Sequence, residues 1–430
     1  MLINGLINNG MNFKTDIDFA QLLDQEDTLQ KFRSSFHIPK QKNGKDFLYF
    51  CGNSLGLQPV SVEQIMMEEL EDWKNLGVEG HFHARRPWMP YHELFNEKLS
   101  KVVGALPEEI VVMNTLTTNL HLMMVSFYRP TREKYKIVIE ASAFPSDKYA
   151  VESQIRFHGF QPESALIQLR PRQGEETLRM EDIENTLRQN VGSIALVMLG
   201  GVNYYTGQKF DLEEITKIGH RIGAKVGFDL AHATGNVLLQ LHDWNVDFAV
   251  WCHYKYMNSG PGSIAGAFIH KMHHAQNLIP RFEGWWGHEK KTRFKMPSQF
   301  IPENSAEAWQ TSNAPVFSMA PLLASLELFE SAGMNALQAK SEKLTTYLEF
   351  LLKQIPTDRI QIITPADPNQ RGCQLSIQVK NADKSIYNKI SEQGVIADWR
   401  EPDVIRVAPV PFYNKFEDIW HFVQILKNCI

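Results

Sequence analysis

Between about Lys101 and Ile269 the chain alternates short apolar runs with stretches whose apolar positions recur every three or four residues. The runs KIVIEA (136–141), SIALVML (193–199), KVGFDL (225–230), VDFAVW (246–251) and SIAGAFI (263–269) are too short for helices and too apolar for a solvent face. They predict buried strands. DLEEITKIGHRIG (211–223), after the second run, has helical spacing. Strand, turn and amphipathic helix in repeated order predict a largely parallel sheet covered by helices. Towards the N-terminus, 17–36 has helical spacing, FLYFCGNSLGLQP (47–59) breaks into a Gly/Pro loop, and SVEQIMMEELEDWKNL (61–76) predicts a helix with Ser61 as its cap. The stretch 314–355 is mainly helical, and beyond it strands near 359–364, 373–379 and 404–408 alternate with helices near 384–393 and 415–428. The expected division is an N-terminal arm with a substrate-side loop (1–60), a large α/β domain (61–320) and a small α+β domain (321–430).

Composition constrains partners more than fold. A chain of 430 residues exceeds one simple core. Its 43% hydrophobic and 22% charged residues are ordinary for a soluble globular protein, and a net charge of −5 offers nucleic acid no basic face. Cys51, Cys252, Cys373 and Cys429 have no CxxC pair or zinc spacing and read as reduced thiols of a cytoplasmic protein. MLINGLINNG has no basic n-region, and no apolar run reaches spanning length, so neither a signal peptide nor a membrane anchor is expected. Met11 is an alternative start.

Parallel sheets bind ligands beyond the carboxyl ends of their strands. Asp229 ends KVGFDL, where a carboxylate is costly unless paired. It is a turn or cap residue, or the partner of a cation such as a protonated pyridine nitrogen. His232, three residues on, is a satisfied polar residue or a contact of the same ligand. Lys255 follows VDFAVWC and precedes a Gly/Pro-rich loop, with Trp251, Tyr254 and Tyr256 around it. Most lysines are solvated surface groups, but this position suits an amine that forms a Schiff base. Asp229 and Lys255 are about one βαβ step apart. Phe144, before Pro145, is core or stacks on a flat ring. Thr115, Thr117 and Thr118 cap the helical pattern in MNTLTTNLHLMMVSF (113–127), or the helix start faces a phosphate. No metal is expected: His81 with His83, and His273 with His274, lack a further ligand set such as HExxH.

Together these segments resemble the kynureninase family, within the fold-type-I enzymes that use pyridoxal 5′-phosphate (PLP). The resemblance runs in order through FCGNSLGLQP (50–59), GH (80–81), RRPW (85–88), MNTLTTNLHL (113–122), EASAFPSDKYAVESQ (140–154) and VNYYTGQ (202–208). It continues through GFDLAHATGNV (227–237), LHDWNVDFAVWCHYKYMNSGPG (241–262), GWWGHE (284–289), TRFKM (292–296), TSNAP (311–315) and IRVAPVPFYN (405–414). It implies a PLP Schiff base on Lys255, with Asp229 on the pyridinium nitrogen and His232 beside the cofactor. Phe144 would stack on the ring, Pro145, Ser146 and Asp147 would contact the cofactor, and Leu116, Thr117 and Tyr254 would hold its phosphate. Trp285 and Asn313 would reach the neighbouring subunit's cofactor, which implies a homodimer. Arg406 would clamp the substrate carboxylate, with His81, Ser312, Asn313 and Asn53 near the rest of the substrate. Family members often carry Ser where this chain has Gly200.

The implied reaction is hydrolytic cleavage of the Cβ–Cγ bond of L-kynurenine or 3-hydroxy-L-kynurenine, in tryptophan catabolism or NAD biosynthesis. Lys255 would act as base, Asp229 would sustain the electron sink, and Tyr254 is the candidate for proton transfer at the γ-carbonyl. The rivals are a cysteine desulfurase, with Cys373 as its only candidate nucleophile, an aminotransferase, and a PLP-fold binding module without catalysis.

Overall fold

The computed structural model describes residues 12–274 and 279–430; MLINGLINNG and Met11 lie outside the described residues. Each apolar run of the large domain becomes a strand of one seven-stranded sheet, ordered Ile110–Val112, Ala265–Ile269, Phe248–Cys252, Lys225–Asp229, Ile194–Gly200, Lys136–Glu140, Leu166–Leu169. Ala265–Ile269 is antiparallel to both neighbours and the other pairings are parallel, as the strand–helix alternation predicts. Ile110–Val112 and Leu166–Leu169 were not foreseen, because three or four residues leave no readable period. The chain reverses its direction of travel across the sheet between Lys136–Glu140 and Ile194–Gly200. A ligand crevice is expected at that switch point.

The two helix starts at which the sequence offered a hydroxyl cap lack one. Ser61 precedes the Val62–Leu76 helix but is itself helical (φ −72°, ψ −10°), and its hydroxyl makes no cap bond. Capping requires an extended residue there. Thr115 is extended, yet its hydroxyl bonds Thr118 Oγ1 at 3.1 Å rather than the first-turn amides of Leu116–Phe127.

The small unit is a four-stranded antiparallel sheet, ordered Asp398–Arg400, Val404–Val407, Leu375–Val379, Ile360–Ile362. It has its own core, in which Leu344, Leu348, Ile377 and Phe422 pack with Ala20, Leu23 and Phe50 of the N-terminal arm. The arm is also tied by polar contacts. Asp24 accepts the amides of Phe416 (2.8 Å) and Glu417 (3.0 Å), and Asp27 pairs with buried Lys340 at 2.7 Å. Met319, Ala320 and Phe329 belong to the large core instead. Leu337 belongs to the large core too and Leu344 to the small one, so we propose that the small unit begins between them, within the Met334–Lys353 helix.

Candidate active site

Asp229 is the last residue of its strand, and Lys255 lies in the loop after the adjacent strand. Both face a cavity of about 260 Å³ beyond the carboxyl ends of the sheet. Leu116, Thr117, Phe144, Ser146, Asp147, His232 and Tyr254 line it with them, so the structure gathers nine residues singled out in the sequence. Pro145 opens the Pro145–Phe157 helix, which carries Ser146 and Asp147 in its first turn. Thr117 Oγ1 lies 2.9 Å from Ser146 Oγ, joining two helix starts at one end of the cavity.

The electrostatics are those of a pocket awaiting a cation. Asp229 accepts the Ala231 amide at 2.7 Å, while burial pushes its carboxyl above the usual range. Burial, followed by the charge of Asp229, pushes Asp147 up as well. Glu140, at the end of the next strand but one, is pushed by burial to about 7. Among the described residues, Lys255 is the only lysine or arginine lining this cavity. His232 is held well below its ordinary value by burial and then by the charge of Lys255. It is therefore a neutral imidazole, with Nε2 2.9 Å from Lys255 Nζ.

These residues fit PLP. Asp147 Oδ1 and His232 Nδ1 are buried without a partner, as groups prepared for a polar ligand would be. The Leu116–Phe127 helix presents first-turn amides that Thr115 does not cap, which suits a phosphate. The Phe144 ring is 44% exposed, and its centroid lies 5.9 Å from Lys255 Nζ.

The remaining sequence candidates lie elsewhere in the chain. Arg406 is buried on the Val404–Val407 strand; Nη1 donates to the Tyr204 carbonyl at 2.6 Å and Nη2 pairs with Asp398. Asn53 is buried and donates to Gln374 Oε1 at 2.8 Å. His81 and Asn313 share a second cavity of about 220 Å³ with Trp88 and Phe317. Ser312 is exposed beside it in sequence. Trp285 is 46% exposed and donates to the Arg293 carbonyl at 3.1 Å.

Among the lining residues not singled out in the sequence, three carry polar or aromatic side chains: Glu140, Asn203 and Tyr204. A signal existed for Glu140, which ends KIVIE as Asp229 ends KVGFD. Gly200 is also explained. Its amide donates to Glu140 Oε1 at 3.0 Å, and a Cβ there would stand 3.0 Å from the same oxygen.

A mostly parallel sheet with a lysine, a buried aspartate and an aromatic side chain on one cavity beyond its strand ends is the architecture of a fold-type-I PLP-dependent enzyme. The fold is similar to that of a cysteine desulfurase from Thermococcus onnurineus NA1, at 17% identity and a TM-score of 0.75 over 93% of this chain and 97% of that one. It is equally similar to a C-DES mutant with glycine covalently linked to its PLP cofactor, at 18% identity and a TM-score of 0.75 over 92% and 99%. Residues 337–426 match the kynureninase C-terminal domain family. Over 98% of its length the chain is 55% identical to a kynureninase of Christiangramia forsetii, covering 99% of that protein. Over 97% it is 55% identical to a kynureninase of Myxococcus xanthus, covering 98%. The chain belongs to the kynureninase family.

Proposed function

We infer that this protein is a kynureninase. It is a PLP-dependent hydrolase that splits the Cβ–Cγ bond of L-kynurenine or 3-hydroxy-L-kynurenine, giving L-alanine and anthranilate or 3-hydroxyanthranilate. The observation that carries the reading is Lys255 and Asp229 at adjacent strand ends on one cavity, in a chain alike to kynureninases along its whole length. A desulfurase needs an accessible cysteine, whereas Cys373 is 1% exposed and burial pushes its thiol up to about 12.

Bound PLP supplies the electron sink for the pair left on Cα when its proton departs. Asp229 would hold the ring nitrogen, Phe144 the ring face, and the Leu116–Thr117 helix start with Tyr254 the phosphate. Ser146 and Asp147 would complete the cofactor's polar contacts. Lys255 is the attachment point and then the base that takes the Cα proton. The His232 imidazole, with Nε2 2.9 Å from Lys255 Nζ, keeps the amine aimed into the cavity. The Tyr254 hydroxyl, which burial keeps protonated, is a proton donor for the γ-carbonyl.

Arg406 would anchor the substrate carboxylate. Asp398 bonds one edge of its guanidinium and also pairs with Arg400 at 3.0 Å, so the cluster retains one positive charge in excess. We assign His81, Ser312, Asn313 and Asn53 to the remainder of the substrate; His81 with Asn313 favours the 3-hydroxylated form. Trp285 and Asn313, absent from the wall of their own chain's cavity, would complete the partner's in a cytoplasmic homodimer. Among the described residues no helix is long and apolar enough to cross a membrane.

The test is direct. Purified protein should be yellow, borohydride should fix PLP on Lys255, and L-kynurenine should yield fluorescent anthranilate. Parallel assays of the two substrates decide the preference. Protein that takes up no PLP, or that turns over neither substrate, overturns the reading.

A further inference from the structure

Tyr204 lies in the loop between the Ile194–Gly200 strand and the Leu212–Arg221 helix, and its ring lines the Lys255 cavity. The loop is held from both sides. Asn203 Oδ1 accepts the amides of Tyr205 and Thr206, each at 3.0 Å, and the small sheet contributes Ser376 Oγ to the Tyr205 carbonyl. The Tyr204 carbonyl accepts from Gln374 Nε2 at 3.1 Å and from Arg406 Nη1 at 2.6 Å. Its ring meets Phe144 edge to face, with centroids 5.3 Å apart at 84°. Two guanidiniums lie over the same ring, Arg406 with Cζ at 5.8 Å and Arg400 at 5.7 Å.

A guanidinium over an aromatic face gives up water on that face and keeps its in-plane N–H groups for a carboxylate. The Tyr204 carbonyl meanwhile takes one of those groups and fixes the rotation of the fork. A single residue thus touches the wall on which the cofactor ring would stack and the cation that would take the substrate's carboxylate. We propose that Tyr204 is a substrate-positioning residue, its ring setting the distance from Arg406 to the Phe144 face and so how firmly the substrate's carboxylate is held. The contacts run through the ring rather than the hydroxyl. The ring is therefore what the function requires.

This inference rests on Arg406 being the carboxylate anchor, and the experiment separates the two. The probe is L-alanine, which carries the carboxylate without the aryl ketone, titrated into PLP-loaded enzyme and followed by the cofactor's absorbance. Tyr204→Phe should match wild type within about twofold in alanine affinity and kcat/KM. Tyr204→Ala and the bulkier Tyr204→Leu should weaken alanine binding and raise KM about tenfold or more, with kcat changed much less and PLP affinity unchanged. Wild-type alanine affinity in both aliphatic variants overturns the proposal, as does a loss confined to kcat or a Phe variant as weak as Ala. Failure of both aliphatic variants to fold also overturns it, since the ring would then serve stability. Arg406→Ala is run in parallel; if alanine binds it normally, the anchor assignment itself falls.

Discussion

Glu140 gains its meaning from what surrounds it. Three carboxyls, Glu140, Asp147 and Asp229, share a cavity with Lys255, and each is pushed upward chiefly by burial. For Glu140 the folded value of about 7 lies above the ordinary 4.5. A raised value means stability that is fully present below the unfolded pKa and lost as pH rises through the folded one. The cofactor-free protein should therefore lose about 2–4 kcal/mol through this group between roughly pH 4.5 and pH 7.5. Glu140→Gln should flatten that loss, read as a smaller difference in thermal midpoint between pH 5 and pH 8. In the role proposed for it, Asp229 would carry the opposite demand, a charge kept for a cationic ring nitrogen. Asp229→Ala should still take up some PLP and lose at least about a hundredfold in kcat. Turnover near wild type would remove Asp229 from its pairing role.

Among the elements, one strand start is fixed by the polar contacts of a buried aspartate as well as by apolar packing. Asp247, just before the Phe248–Cys252 strand, accepts from the Val226 amide (2.8 Å), His220 (2.8 Å), His273 (2.7 Å) and Lys225 (2.9 Å). Burial opposes its charge, but the hydrogen bonds from His220 and His273 and the Lys225 ammonium outweigh it, and the carboxyl falls far below the usual range. A depressed value means stability present above the unfolded pKa and lost as pH falls. Asp247→Ala should cost about 1–3 kcal/mol at pH 7, because it leaves the buried Val226 amide and His273 without their acceptor at the start of the strand that leads to Lys255. Urea unfolding should show that gap narrowing below about pH 4. Nothing in VDFAVW announces this arrangement. Asp247 sits inside a run read as a strand, and His220 and His273 lie 27 and 26 residues away.

For the whole molecule the question is assembly. Trp285 and Asn313 stand apart from their own chain's Lys255 cavity, and we propose that a second copy brings them to it. Mixing inactive Lys255→Ala chains with inactive Asn313→Ala chains should then restore about a quarter of wild-type activity, since half of the redistributed dimers hold one complete site. Activity that stays at the sum of the separate variants would place Asn313 in its own chain's site, or in none.

The sequence alone determined the sheet's long strands, because a run of five or more apolar residues buried on both faces is written into local composition. It also placed Asp229, Lys255 and Phe144 at strand ends, where ligand chemistry is expected. Short strands such as Ile110–Val112 stayed hidden, since three residues leave no period to read and their partners are remote in sequence. Only the tertiary structure could decide the rest. Asp398 claims one edge of Arg406, Glu140 fills the space that Gly200 leaves, and Tyr204 bridges the two units. Asp398 and Arg406 meet across paired strands eight residues apart, and the other two contacts join groups 60 and 202 residues apart; burial then sets their charge, and neither quantity is carried by local sequence.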